Sequence, residues 1–142
     1  MMAIRRGRKR WSAIGIGLAL LAVLHADFRP GIDLVIEQSG LDAAAQWADI
    51  VFTGEGSIDA QTMFGKTPVG VASVAKRHGK PVIAIAGHVG DGIECLHGRG
   101  IDAVFGAAPG AASLDELLRD ARANVARTAE QVTRLMRIVR SH

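Results

Sequence analysis

At 142 residues with 49% hydrophobic side chains, the chain is long enough for one domain with a real core and too short for two, and its composition excludes a disordered polypeptide. The net charge of +3 comes from Arg5, Arg6, Arg8, Lys9 and Arg10; without these five, the remaining 12 of 17 basic residues face 14 acidic ones, which excludes a nucleic-acid-binding body. The one cysteine, Cys95, excludes an intrachain disulfide and argues against a cysteine-based metal site, in keeping with a reducing cytoplasm.

Residues 5–26, RRGRKRWSAIGIGLALLAVLHA, open on a basic cluster and continue as an apolar run from Trp11 to Leu24. This pattern resembles a secretory signal peptide. The run falls short of the roughly 20 residues of a membrane span, Gly15 and Gly17 interrupt it, and Leu24 fits poorly in a small-residue cleavage pattern. The alternative reading is a buried helix of the fold behind an atypical basic segment, residues 1–11. Pro30 then suits a helix first turn and Gly40 its stop, with Ile32, Val35 and Ile36 on one face. A short AAAQWA segment predicts one or two helical turns.

Asp49–Thr53 reads as the first strand, short and apolar. A polar loop, TGEGSIDAQTMFGKTP, spans Thr53–Pro68. Thr67 is placed to cap the next helix, Pro68 to occupy its first position and Gly79 to stop it. A second buried strand is expected over Pro81–Ala86, a turn over Gly87–Gly90, and a short helix opened by Asp91 with Glu94 as a capping box and ending at Gly98–Gly100. Ile101–Phe105 gives a third strand. Ser113 with Glu116 opens a long helix to about Arg140, with Leu117, Leu118, Ala121, Val125, Val132, Leu135, Met136 and Val139 on one side and a row of arginines on the other. Short alternating strands and helices predict an α/β fold, a Rossmann-like parallel three-stranded sheet with flanking helices. Abundant Ala, Gly, Val and Ile suit that close packing.

In open α/β sheets ligands bind beyond the carboxyl ends of the strands, where the 53–68 loop lies. Gly54 and Gly56 allow backbone amides to approach a ligand closely, and Lys66, Thr67 and the amides of the following helix suit a phosphate. Glu55 and Asp59 are candidates for magnesium coordination or for accepting a proton from a hydroxyl. Gln61 and Thr62 are short-range hydrogen-bonding groups suited to a hydroxy acid. The loop is not a P-loop: Ala60 stands where the first glycine belongs, and Pro68 follows Thr67. His88 either reaches the same edge or is simply solvated, Cys95 reads as a small core residue, and His25, His78 and His97 show no ligand spacing.

The run TGEGSIDAQTMFGKTPVGVASVAKRHGKPVIAIAG resembles the signature region of the bacterial glycerate kinase family, and the likeness continues through LALLAVLHADFRPGIDLV before it and GIDAVF and SLDELLRDARANVARTAEQV after it. The resemblance covers residues 12–142 and implies a partial glycerate kinase fold, the C-terminal α/β region of a longer two-lobed enzyme. It implies a cytoplasmic kinase that uses ATP and Mg2+ to convert D-glycerate to 2-phosphoglycerate, completed by a separately encoded N-terminal portion, with no nucleic-acid or membrane partner. Two positions depart from the family pattern: Ser57 replaces a common arginine, and SAIGIGL replaces a glycine-rich GAAGGLG run. The alternatives are a binding module that holds a nucleotide or small organic acid without turnover, and an exported domain addressed by residues 5–26.

Overall fold

The computed structural model describes residues 31–140; the expectations for residues 5–26, Pro30 and His25 lie outside them. From Ile32 onward the chain forms one compact unit. Two helices, α1 (Gly31–Ser39) and α2 (Leu41–Trp47), lead into β1 (Val51–Ile58). Next come α3 (Thr67–Arg77), β2 (Val82–Val89), β3 (Ala103–Gly106), α4 (Leu114–Arg119) and α5 (Ala121–Arg140). Single 3₁₀ segments, Ala60–Met63 and Ile93–Arg99, follow β1 and β2. The strands form a parallel sheet in the order β1-β2-β3, the α/β arrangement expected.

Side chains alternate between the two faces of a strand. The register Val51↔Val82, Thr53↔Ala84 and Glu55↔Ala86 therefore puts these residues on one face. Val51, Val82, Ala84 and Ala86 join Ala72, Val74 and Ala75 of α3, with Leu96 and Ile101, in one buried core. Ile83 and Ile85 point to the opposite face, and α5 packs against β2 with Val132 buried. Ile36 and Leu41 pack against the core, but Val35, expected beside Ile36, is exposed.

Several boundaries differ from the sequence expectation. β1 continues through Ile58 and β2 through Val89, because their pairing persists to Ser57↔His88 and Ile58↔Val89. Glycine offers the same backbone donor and acceptor as any other residue, so Gly54 stays in the ladder opposite Ile85, and Gly56 and Gly87 remain within their strands. β3 begins at Ala103 rather than Ile101. The expected Asp91–Glu94 capping box is absent: Gly92 in a left-handed conformation (φ 73°) leads the 3₁₀ segment without a side-chain cap.

The long C-terminal helix is two helices. The Ser113–Glu116 box does form, Ser113 N–H donating to Glu116 Oε2 at 2.9 Å, and these bonds hold the Glu116 carboxyl below its usual range. The first helix ends at Asp120, whose carbonyl accepts the Asn124 N–H at 3.0 Å at the start of α5. Of the predicted apolar stripe only Val132 is buried, while Leu118, Val125, Leu135 and Val139 are exposed. A 20-residue helix is about 30 Å long, whereas three strands spaced about 4.8 Å apart make a much narrower sheet. Among the described residues no helix is long and apolar enough to cross a membrane.

Polar ties secure the amino end of the sheet. Lys76 Nζ donates to both carboxylate oxygens of Asp102, at 2.9 and 2.7 Å, and the Val82 N–H donates to Asp102 Oδ2 at 2.6 Å. Burial pushes the Asp102 carboxyl up, but the bonds from Lys76 and Val82 and the Lys76 charge outweigh it and leave the group below its ordinary range. Asp42 similarly joins α2 to α3 by accepting from Arg77 Nη2 at 2.9 Å and pairing with His78 Nε2 at 3.1 Å. The bond to His78 is the main cause of its lowered pKa. His78, without ligand spacing in the sequence, has this structural role.

A carboxyl depressed in the folded state contributes stability above its unfolded pKa of about 3.9 and loses it as pH falls through the folded value. Asp102→Ala is therefore expected to lower unfolding stability at pH 7 by about 1–2 kcal/mol, since it removes the partner of one backbone amide and one half-exposed ammonium. Urea titrations at pH 7 and pH 3 check this: the gap between wild type and variant narrows at the lower pH.

Candidate active site

The candidate residues occupy the carboxyl end of β1 and the turn that follows. Gly54, Glu55 and Gly56 lie within the strand rather than in the expected loop. The physical reason for Gly54 is strand packing: a Cβ built there would lie 2.4 Å from the Ile85 carbonyl oxygen. A Cβ at Gly87 would lie 2.7 Å from the Gly56 oxygen. Gly56 itself faces open space.

Glu55 shares its face with Ala86 and the α3-covered core. Its Oε2 is buried and has no hydrogen-bond partner. An uncompensated carboxylate oxygen is costly in such surroundings, which makes this atom a ready acceptor for a cation or a donated proton.

Asp59 starts the 3₁₀ segment from an extended conformation. Its Oδ1 accepts the Gln61 N–H at 2.8 Å, while its own N–H donates to Thr62 Oγ1 at 3.3 Å. Thr62 is fully buried, so it holds the turn closed; Gln61 is exposed. Lys66 Nζ stands 4.0 Å from Asp59 Oδ1, so the structure brings these two charges to one place. Their pairing is partly exposed and stabilises the turn only weakly.

Lys66, not Thr67, occupies the cap position of α3, with extended backbone and no side-chain cap. Thr67 is the first helical residue and Pro68 follows it, buried. The Thr67 N–H has no intrahelical acceptor, so it is available to an anion beside the Lys66 ammonium. The turns after β1 and β2 are joined: Gly90 N–H donates to Ile58 O at 2.8 Å and Ala60 N–H to Asp91 O at 3.2 Å.

His88 is exposed at the end of β2, paired in register with Ser57. Cys95 is half-buried against the core with its Sγ–H directed to Gly92 O at 3.0 Å, and His97 Nδ1 lies 2.8 Å from Ile101 O. Among the described residues no three His, Cys, Asp or Glu side chains cluster as a metal site. Sequence reasoning missed Asn124, buried on α5; its signal is an amide three residues from Ala121, on the apolar side of a helix.

A parallel α/β sheet with carboxylates, a lysine and a helix start at its carboxyl edge has the layout of the open-sheet α/β class, in which ligands bind beyond the carboxyl ends of the strands. The Glycerate kinase family model matches residues 7–137, and the chain belongs to that family. It is 48% identical over 108 residues to a glycerate kinase from Halalkalibacterium halodurans, covering 76% of this chain and 28% of that protein. To the glycerate 2-kinase of Escherichia coli it is 41% identical over 127 residues, 89% of this chain and 33% of the relative. A crystal structure assigned as glycerate kinase 2 from Salmonella typhimurium LT2 superposes with a TM-score of 0.70 at 41% identity, covering 90% of this chain and 32% of that one. The chain thus spans about a third of the length of these relatives.

The glycine geometry makes a prediction. Gly54→Ala is expected to cost about 1–3 kcal/mol, because the methyl group drives β1 from β2, whereas Gly56→Ala stays within about 0.5 kcal/mol. Chemical denaturation of the two variants checks the difference.

Proposed function

We propose that this chain carries part of the active site of an ATP-dependent glycerate kinase, transferring a phosphoryl group to D-glycerate to give 2-phosphoglycerate. The observation that carries the reading is the buried, unpartnered Glu55 Oε2 within the polar segment of a chain that belongs to the glycerate kinase family. A separately encoded N-terminal portion is the proposed completing partner, and the cytoplasm the proposed location, in keeping with the lone cysteine.

Magnesium fits the residues present. It is commonly held by one or two carboxylates plus substrate phosphates rather than by an all-protein cage, and Glu55 and Asp59 are two such carboxylates. When bound, ATP with magnesium supplies the phosphoryl group and neutralises its charge. The chain's own groups then bind and orient. Lys66 and the Thr67 N–H would hold the phosphate oxygens, with Gly56 allowing close approach of the backbone. Gln61 positions the hydroxy acid, and Thr62 acts by fixing the turn.

The proton of the attacking hydroxyl passes to a carboxylate. Glu55 Oε2 is the better placed acceptor, since no donor occupies it, whereas Asp59 Oδ1 already accepts from Gln61. Asp59 and Lys66, 4.0 Å apart, hold each other in position until ligand binds.

The test is phosphorylation of D-glycerate by the purified chain, alone and with the separately expressed N-terminal portion. Turnover is expected in the completed protein; none in either condition overturns the kinase reading, and ligand binding without product favours the non-catalytic binding module instead. In the active form, Glu55→Gln is expected to lower kcat about 10²- to 10⁴-fold with a smaller effect on KM. Initial-rate measurements on folded variant protein check this.

A further inference from the structure

The carboxyl edge of the sheet holds a concavity of about 160 Å³ between the strand ends and the α4–α5 pair. Its floor includes Gly56 and Gly87, where the absence of side chains leaves flat backbone. Its walls are apolar, with Leu117, Leu118 and Val125 contributed by the helices. The volume suits one ring system rather than a whole nucleotide.

Two polar residues, His88 and Asn124, interrupt this lining. Asn124 is only 7% exposed, and its Oδ1 accepts from Arg127 Nη2 at 2.7 Å. A guanidinium can only donate, so this bond fixes the orientation of the amide: oxygen toward Arg127, nitrogen away from it. Among the described residues no acceptor pairs with the Nδ2 group. An apolar slot with a flat floor and a single amide is the chemistry that receives a planar heterocycle carrying an acceptor nitrogen at its edge. Asparagine matches adenine in this way, donating to N7 while its oxygen retains a second lone pair for the N6 amino group.

We propose that this pocket is a purine-base site, with Asn124 the residue that reads the base and the glycine floor the surface on which the ring lies. The assignment rests on the kinase reading for the rest of the nucleotide.

The test uses the full chain with adenosine, cytidine and ATP, followed by saturation-transfer NMR and calorimetry. Saturation of the adenine ring protons, much weaker for cytidine, is expected. Asn124→Leu, which removes the amide at similar volume, is expected to weaken adenosine and ATP binding about five- to tenfold. Ala121→Phe, a substitution at an exposed lining residue, is expected to abolish adenosine saturation while far-UV circular dichroism stays unchanged. Adenosine binding that neither substitution alters overturns the pocket assignment, as does binding of ATP without any response to adenosine; in both cases glycerate phosphorylation could survive. Adenosine binding that both variants weaken, in a protein that never phosphorylates glycerate, supports the pocket and overturns the kinase reading alone.

Discussion

The close approach of β1 and β2 is the contact on which the rest of the structure depends. At Gly54 and Gly87 the backbones come so near that a single methyl group would collide with a carbonyl across the ladder. Both strands stay paired to Ile58 and Val89. The pair separates two environments: Glu55 faces the core beneath α3, and glycine backbone forms the floor of a slot on the helical α4–α5 side. Carboxylate and slot are thus neighbours in sequence while belonging to different surroundings.

The edge built in this way is rigid where chemistry needs it and polar where it needs charge. Backbone bonds between the turns after β1 and β2 keep Asp59 and Ala60 in fixed relation to Asp91. Buried Thr62 closes the first turn from within. Exposed Gln61 and Thr67 and half-buried Lys66 extend from this hydrogen-bonded turn. At the far end of the sheet, Asp102 links α3, the start of β2 and the approach to β3 through a lysine and a backbone amide.

Much of this was readable from the chain because the signals were local. Gly40 ends α1 and Gly79 follows α3, both with positive φ, Pro68 sits in the first turn of α3, and Ser113 with Glu116 forms its box. The gathering of Asp59 and Lys66 at one turn follows from their short separation. What could not be read depended on partners distant in sequence. Gly54–Ser57 looked like loop because glycine ordinarily marks a turn; pairing with β2 makes it strand. The break at Asp120 and the exposure of Leu118, Leu135 and Val139 depend on where the sheet stops supporting the helices, which periodicity does not encode. Asn124 was hidden by reading α5 as apolar against basic, a division in which a neutral amide has no place.

The division at Asp120 has an energetic consequence. A continuous helix would share its cooperativity along its whole length, but α4 has six residues, well below the roughly 12–15 at which an isolated helix becomes even marginal. Its persistence rests on the Ser113–Glu116 box and on Leu117, its only half-buried leucine. A helix this short, with no fully buried residue, is expected to open locally while β1, β2 and α3 remain intact. Its amides are therefore expected to exchange with solvent ahead of those of the sheet.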